Sequence, residues 1–87
     1  MLSETIKHIE GYLEKNLPAY TLLEVQRKSA YPEDAYLYMA AAEKNDGTYA
    51  VWTCWNESTG SLNYGHYGLK SFDACREVMQ ENYTSMH

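Results

Sequence analysis

Hydrophobic residues recur every three or four positions at the start of the chain, which is the spacing of one face of an α-helix. Ser3 is suited to cap such a helix and Pro18 to end it, so the pattern predicts an amphipathic helix over residues 3–16. A second apolar stripe follows Ser71, another candidate cap, and predicts a helix at the C-terminal end. The first stripe is Leu2, Ile6, Ile9, Leu13 and Leu17, and the second is Phe72, Cys75, Val78, Met79 and Tyr83.

Residues 20–28 alternate between apolar and polar side chains, as a strand with one buried face does. Leu23 and Val25 fall on one side of this predicted strand. Glu24 and Gln26 fall on the other side. The alternation therefore predicts an outer strand of a sheet, with one face towards the core and one towards water.

Residues 36–58 predict a β-hairpin, because two β-prone runs flank the turn sequence KNDGT. That sequence favours a type I turn followed by glycine in the left-handed region, which places Lys44 opposite Thr48. A tighter two-residue turn would shift the pairing by one residue. Both registers stay open at this point.

A fourth strand is predicted over residues 62–69, where Gly65 and Gly68 indicate a bulge or the close approach of another backbone. Residues 29–35 contain a proline and are predicted to form a loop. A chain of this length supports one core, so residues 1–87 are predicted to form a single domain. The predicted fold class is α+β: a four-stranded antiparallel meander with an N-terminal and a C-terminal helix (α-β-β-β-β-α), and with the helices mainly on one face.

The hairpin is unusual because both of its faces are apolar, whereas an antiparallel sheet commonly has one face in water. If Lys44 pairs with Thr48, one face carries Leu37, Met39, Ala41, Val51 and Trp55. The other face carries Tyr36, Tyr38, Ala40, Ala42, Ala50, Trp52 and Cys54. Two short helices on one side would leave the second face uncovered. The alternatives are that one helix lies on each side, or that loops fold over the second face.

An uncovered aromatic face predicts a contact surface, because exposed apolar patches mark interaction sites and tyrosine and tryptophan are enriched at interfaces. The chain has nine tyrosines and two tryptophans. We therefore expect a small non-enzymatic protein-interaction module that binds another protein or itself, in the second case as a homodimer. The alternative is a surface on which single-stranded nucleic acid or a small ligand stacks. The candidate binding residues are Tyr36, Tyr38, Trp52, Trp55, Tyr64, His66 and Tyr67.

The charge of the chain argues against direct nucleic-acid binding. Twelve acidic residues against seven lysines and arginines give a net charge of -5, and the acids are spread along the chain. An acidic surface of this kind could instead inhibit a nucleic-acid-binding protein. No membrane-spanning run and no signal peptide is present at the N-terminal end, so a cytoplasmic location is expected.

Catalytic and metal-binding patterns are weak in this sequence. His66 lies between tyrosines, and a histidine beside a tyrosine could serve as an acid-base pair, so a small hydrolase-like enzyme using His66 is the remaining alternative. Cys54 and Cys75 have no metal-binding or redox spacing and are predicted to be buried free thiols. No phosphate-binding or dinucleotide-binding motif occurs, so neither a cofactor nor a metal is expected.

Overall fold

The computed structural model describes residues 2–27, 37–56 and 59–84, and these form a helix, four strands and a second helix in chain order. The elements are α1 (Leu2–Asn16), β1 (Tyr20–Arg27), β2 (Leu37–Lys44), β3 (Tyr49–Asn56), β4 (Ser61–Leu69) and α2 (Phe72–Thr84). The strands form one antiparallel sheet in the order β1-β2-β3-β4. The predicted α+β meander between two helices is confirmed. The predicted loop at 29–35 lies outside the described residues.

The two predicted helix caps differ in outcome. The Ser71 hydroxyl oxygen accepts a hydrogen bond from the backbone N–H of Ala74 at 3.1 Å, which is the geometry of an N-cap. Helix α1 instead begins at Leu2, so Ser3 lies inside the helix and its predicted role as a cap is wrong. At its other end α1 stops before Pro18, which cannot continue a helical hydrogen-bond ladder.

The turn between β2 and β3 has the wider of the two predicted registers. The Lys44 N–H donates to the Thr48 carbonyl at 2.7 Å, and the Gly47 N–H donates to the Lys44 carbonyl at 3.0 Å. Gly47 adopts a φ of 89°, a left-handed conformation that glycine reaches without steric cost. The Thr48 hydroxyl donates to the Asp46 carboxylate at 2.6 Å and helps to hold the pKa of that carboxyl below its usual value.

Farther from the turn, β3 contains one residue more than β2 between two successive pairs. Ala40 pairs with Trp52, but Tyr38 pairs with Trp55. An inserted residue reverses the facing of the side chains that follow it. Trp52 and Trp55 therefore face the same side of the sheet, and the prediction that Trp55 would share a face with Met39 is wrong.

Each face of the sheet is covered by its own helix, so the prediction that both helices lie mainly on one face is wrong. The α1 side of the core consists of Ile9, Leu13, Tyr38, Ala40, Ala42, Ala50, Trp52, Trp55 and Leu62. The α2 side consists of Met39, Ala41, Val51, Cys75 and Met79. Because the sheet is apolar on both faces, one helix per face removes more apolar surface from water than two helices side by side would.

Strand β1 also contains a bulge, and it changes which of its residues face inward. The pairing with β2 shifts between Leu22 and Glu24, so the intervening Leu23 does not share the inner face with Val25 and is 41% exposed. The prediction for Leu23 is therefore wrong, and Leu22 packs beside Val25 against the α1 cluster. Glu24 lies on the α2 side, where its carboxylate accepts a hydrogen bond from Arg76 at 3.0 Å.

Candidate functional site

Three of the predicted binding residues belong to the core. Trp52 and Trp55 are each 2% exposed, and Tyr38 is also buried. All three lie in the cluster covered by α1. The expectation of an uncovered aromatic sheet face is therefore wrong, because a helix occupies the place in which a partner was expected. Tyr36 lies outside the described residues.

The remaining predicted residues lie together on β4, at the edge of the sheet. Among the strands that the structure describes, β4 pairs with β3 alone, and residues 63–68 are all exposed. Tyr64 is 75% exposed and Tyr67 is 60% exposed. We call Tyr64, His66 and Tyr67 the tyrosine edge. These three predicted residues lie on one strand, although the sheet face for which they were predicted is covered by α1.

Tyr64 adopts a backbone conformation that is costly for a tyrosine. Its φ is 57°, and it is the one non-glycine residue with positive φ in the part of the chain that the structure describes. The left-handed region costs an L-residue with a β-carbon roughly 1–2 kcal/mol. The Thr53 hydroxyl donates to the Tyr64 carbonyl at 3.3 Å and helps to fix this peptide. The strand thus holds a phenol ring outward in a conformation that glycine or asparagine would adopt more easily.

Tyr67 lies across the strand and joins the tyrosine edge to the core. The Trp52 indole N–H donates to the Tyr67 phenolic oxygen at 3.0 Å, and the two rings meet edge to face with centroids 5.9 Å apart. Gly65 makes this possible, because a β-carbon at that position would meet the Tyr67 Cζ atom at 2.5 Å. The sequence predicted the close approach of another backbone at this strand, but the group that approaches Gly65 is the side-chain ring of Tyr67. The predicted bulge is also present, since the pairing of β4 with β3 shifts beside Gly68.

His66 lies opposite Val51, whose side chain belongs to the α2 side of the sheet. The Tyr67 ring lies against Trp52, whose side chain belongs to the α1 side. The two neighbours are therefore directed to opposite faces, and the Tyr67 hydroxyl already accepts the indole hydrogen bond. This arrangement does not support an acid-base pair formed by His66 and Tyr67.

The two cysteines lie on β3 and α2 and differ in burial. Both cysteines are free; Cys75 is buried and Cys54 is half-buried. Burial raises the pKa of the Cys75 thiol, which lies 4.0 Å from the Ala50 carbonyl oxygen as a weak donor. The prediction of buried free thiols is thus confirmed for Cys75. Among residues 2–27, 37–56 and 59–84, no three His, Cys, Asp or Glu side chains are grouped to hold a metal ion.

A groove of about 540 Å³ lies between α1 on one side and Trp55 and Gly60 on the other. Its lining includes Trp55 and Tyr12, whose rings meet edge to face at 5.7 Å. The lining residues are Lys7, His8, Gly11, Tyr12, Lys15, Asn16, Trp55 and Gly60. Sequence reasoning missed this groove, although the helical spacing of the polar residues 7, 8, 11, 12, 15 and 16 is a signal that they share one face of α1.

Comparison with known proteins gives one family. The family described as "Large polyvalent protein associated domain 24" matches residues 4–73, which extend from α1 to the start of α2. No curated protein and no solved structure matches the chain. None of the helices within the described ranges is long and apolar enough to cross a membrane.

Proposed function

The chain belongs to the large polyvalent protein associated domain 24 family, and we propose that it is a non-catalytic domain that binds another protein through its tyrosine edge. The family description is compatible with association between protein chains. The α+β core, covered on both faces, supplies a rigid support for such a surface. The contact surface is the open edge of the sheet.

The observation that carries this proposal is the backbone of Tyr64. A large aromatic residue is held at a φ of 57° with three quarters of its surface in water. Neither feature benefits the folded monomer, because the conformation costs free energy and the exposed ring contributes little burial. Such strain gathers at functional positions, and exposed tyrosines are enriched at the centres of protein interfaces.

The shape of the edge favours a different protein over a second copy of the chain. Continuous pairing between two identical edge strands requires regular backbone, and β4 is interrupted at Tyr64 and again at Gly68, both with positive φ. Irregularities of this kind are a common protection against edge-to-edge association. The net charge of -5 is compatible with a basic partner, and nucleic-acid-binding proteins are one class of basic protein.

Stacking of nucleic-acid bases on the indole rings is not proposed. Both tryptophans are in the core, and a base needs an accessible ring face. A basic track for the phosphate backbone is also lacking on the tyrosine edge, where Tyr64, His66 and Tyr67 include no lysine or arginine.

The proposal is tested by affinity capture with quantitative mass spectrometry, using lysate of the source cell. The test variant is Tyr64→Asn, because asparagine accepts the left-handed backbone but removes the ring. The matched control is Leu23→Asn, which removes an exposed apolar side chain from the opposite edge strand. We expect a partner that wild type and the control capture equally and that Tyr64→Asn loses by about tenfold or more. Equal capture by all three proteins would contradict the proposal.

A further inference from the structure

Helix α1 places basic side chains along one groove. The flank that lines the groove carries Lys7, His8 and Lys15, and no acidic residue lines the groove within the described ranges. The opposite flank carries Glu10 and Glu14, which line a smaller hollow of about 250 Å³ beside β1. Glu4 lies one helical turn before Lys7 and His8 on the same side of α1, but it does not line the groove. In the described part of a chain with a net charge of -5, the charged side chains that line this groove are thus basic.

The two lysines of the groove have no anionic partner in the described part of the protein. Salt bridges join Lys44 to Asp46 and Arg76 to Glu24, but none in residues 2–27, 37–56 and 59–84 involves Lys7 or Lys15. Their charges therefore remain available to a ligand. The groove has aromatic lining from Tyr12 and Trp55.

Two glycines line the groove. Gly11 lies on the groove side of α1, and a β-carbon there would meet nothing within 4 Å. Gly60 lies at the far wall, with a φ of 67°, and a β-carbon there would also meet nothing within that distance. Glycine in a helix interior costs roughly 0.5–1 kcal/mol relative to alanine, so Gly11 is not there for the stability of α1. Because these two positions have no side chain, the main chain of a bound segment can approach the groove there.

We propose that this groove binds a short extended segment of a partner protein that carries two acidic side chains about four residues apart. Lys7 and Lys15 are eight positions apart on one helix, which corresponds to about 12 Å along its axis. An extended peptide rises about 3.3 Å per residue, so carboxylates four residues apart are separated by about 13 Å and lie on the same side. The spacing of the two carboxylates thus matches the spacing of the two lysines, and their charges are opposite, which favours such a segment as the ligand.

Other anions fit this surface less well. Inorganic phosphate is much smaller than the distance of about 12 Å that separates Lys7 from Lys15 along the helix axis, so one phosphate is poorly matched to both lysines. A nucleic-acid strand would continue beyond the groove across a protein with twelve acidic and seven basic side chains, and its affinity depends on neutralising many phosphates. A short acidic segment would place its negative charges only beside the lysines of the groove and would not extend over the acidic surface beyond it. Enrichment of aromatic residues at protein interfaces also favours a peptide.

The spacing is tested by fluorescence anisotropy with two labelled peptides of the same composition. One carries two aspartates about four residues apart in a Gly-Ser background, and the other carries the aspartates side by side. We expect tighter binding of the spaced peptide, weakened about tenfold by Lys7→Gln combined with Lys15→Gln and weakened by added salt. Lys70→Gln, the same charge change on an exposed lysine beyond the far end of β4, should leave binding unchanged.

A second pair of variants tests the groove without changing charge. Gly11→Leu places a side chain in the groove and should abolish binding of the spaced peptide, whereas Gly11→Ala, which adds one methyl group, should retain it. Tyr64→Asn should bind the peptide like wild type, which separates this inference from the proposed function of the tyrosine edge. Equal binding of both peptides, full binding by Gly11→Leu, preferential binding of single-stranded oligothymidine, or a dimer of the chain that excludes the peptide would each overturn the inference.

Discussion

The indole N–H of Trp52 and the phenolic oxygen of Tyr67 are 3.0 Å apart and form a hydrogen bond between a fully buried ring and a largely exposed one. This contact connects the core beneath α1 to the tyrosine edge. Tyr67 lies across Gly65 to reach Trp52. A hydrogen bond and a ring contact therefore connect the tyrosine edge to the core.

Tyr67→Phe should destabilise the protein by about 0.5–1.5 kcal/mol, because the ring contact remains but the indole N–H of Trp52 loses its acceptor. The free energy of unfolding in urea measures this effect. Tyr64→Phe is the matched control, since its ring is 75% exposed, and it should change the free energy of unfolding by less than about 0.5 kcal/mol. Equal effects of the two substitutions would contradict the assigned contact.

Gly65→Ala should destabilise the protein by roughly 1–2 kcal/mol, because the new methyl group occupies the place of the Tyr67 ring. The displaced ring would lose both its hydrogen bond and its edge-to-face contact with Trp52. A double-mutant cycle with Tyr67→Ala checks the cause. Once the ring is absent, Gly65→Ala should cost much less, and strictly additive effects would show that the glycine is required for another reason.

Substitution of two neighbouring alanines tests the coverage of both sheet faces. Ala40 packs beneath α1 and Ala41 packs beneath α2, and both are fully buried. Ala40→Leu and Ala41→Leu should each cost about 1–3 kcal/mol through overpacking, measured as a loss in the free energy of unfolding. In a sheet with both helices on one side, one of the two leucines would point to solvent and have almost no effect. That asymmetric result would contradict the described architecture.

The two cysteines should differ in reactivity. Cys75 is buried and desolvation raises the pKa of its thiol, so little thiolate forms and iodoacetamide should modify it only when the protein unfolds. Cys54 is half-buried and should react faster in the native protein. The peptide-resolved modification rate at mildly alkaline pH measures the difference. Similar native rates for both residues would contradict the placement of Cys75 on the buried, sheet-facing side of α2.

The same pKa shift predicts the sign of a pH effect. A thiol with a pKa above its unfolded value of about 9 binds its proton more tightly in the folded state. The stability associated with Cys75 is therefore fully present below that value and decreases as the pH rises towards the folded pKa. Cys75→Ala should remove this part of the alkaline loss of stability, and an unchanged alkaline profile would show that other groups determine it.

The order of secondary-structure elements could be predicted from the sequence because each one has a local signal. The periodic stripes locate both helices, and Ser71 and Gly47 act through hydrogen bonds or backbone angles that depend on their own neighbours. The turn sequence favoured the register that the structure has near Lys44 and Thr48, although a shift by one residue stayed open. These features involve residues a few positions apart, so they can be read without knowledge of the fold.

Side-chain facing could not be predicted, because it depends on bulges that the sequence does not mark clearly. One additional residue in β3 turns Trp55 to the same side as Trp52, and one in β1 leaves Leu23 exposed. The opposite placement of the helices depends on the balance of apolar area over the whole sheet. The positive φ of Tyr64 is likewise not suggested by its residue type. The sequence therefore named the residues of the tyrosine edge as candidates, but it did not predict that they lie on an edge strand of the sheet.

We propose that Tyr64 is kept in a costly backbone conformation because its ring binds the partner. The most direct test measures two properties of Tyr64→Asn: its affinity for the captured partner by titration calorimetry, and its free energy of unfolding in urea. For Tyr64→Asn we predict affinity lower by about tenfold or more together with a free energy of unfolding higher by about 0.5–1 kcal/mol. Wild-type affinity in a folded Tyr64→Asn protein would contradict the claim.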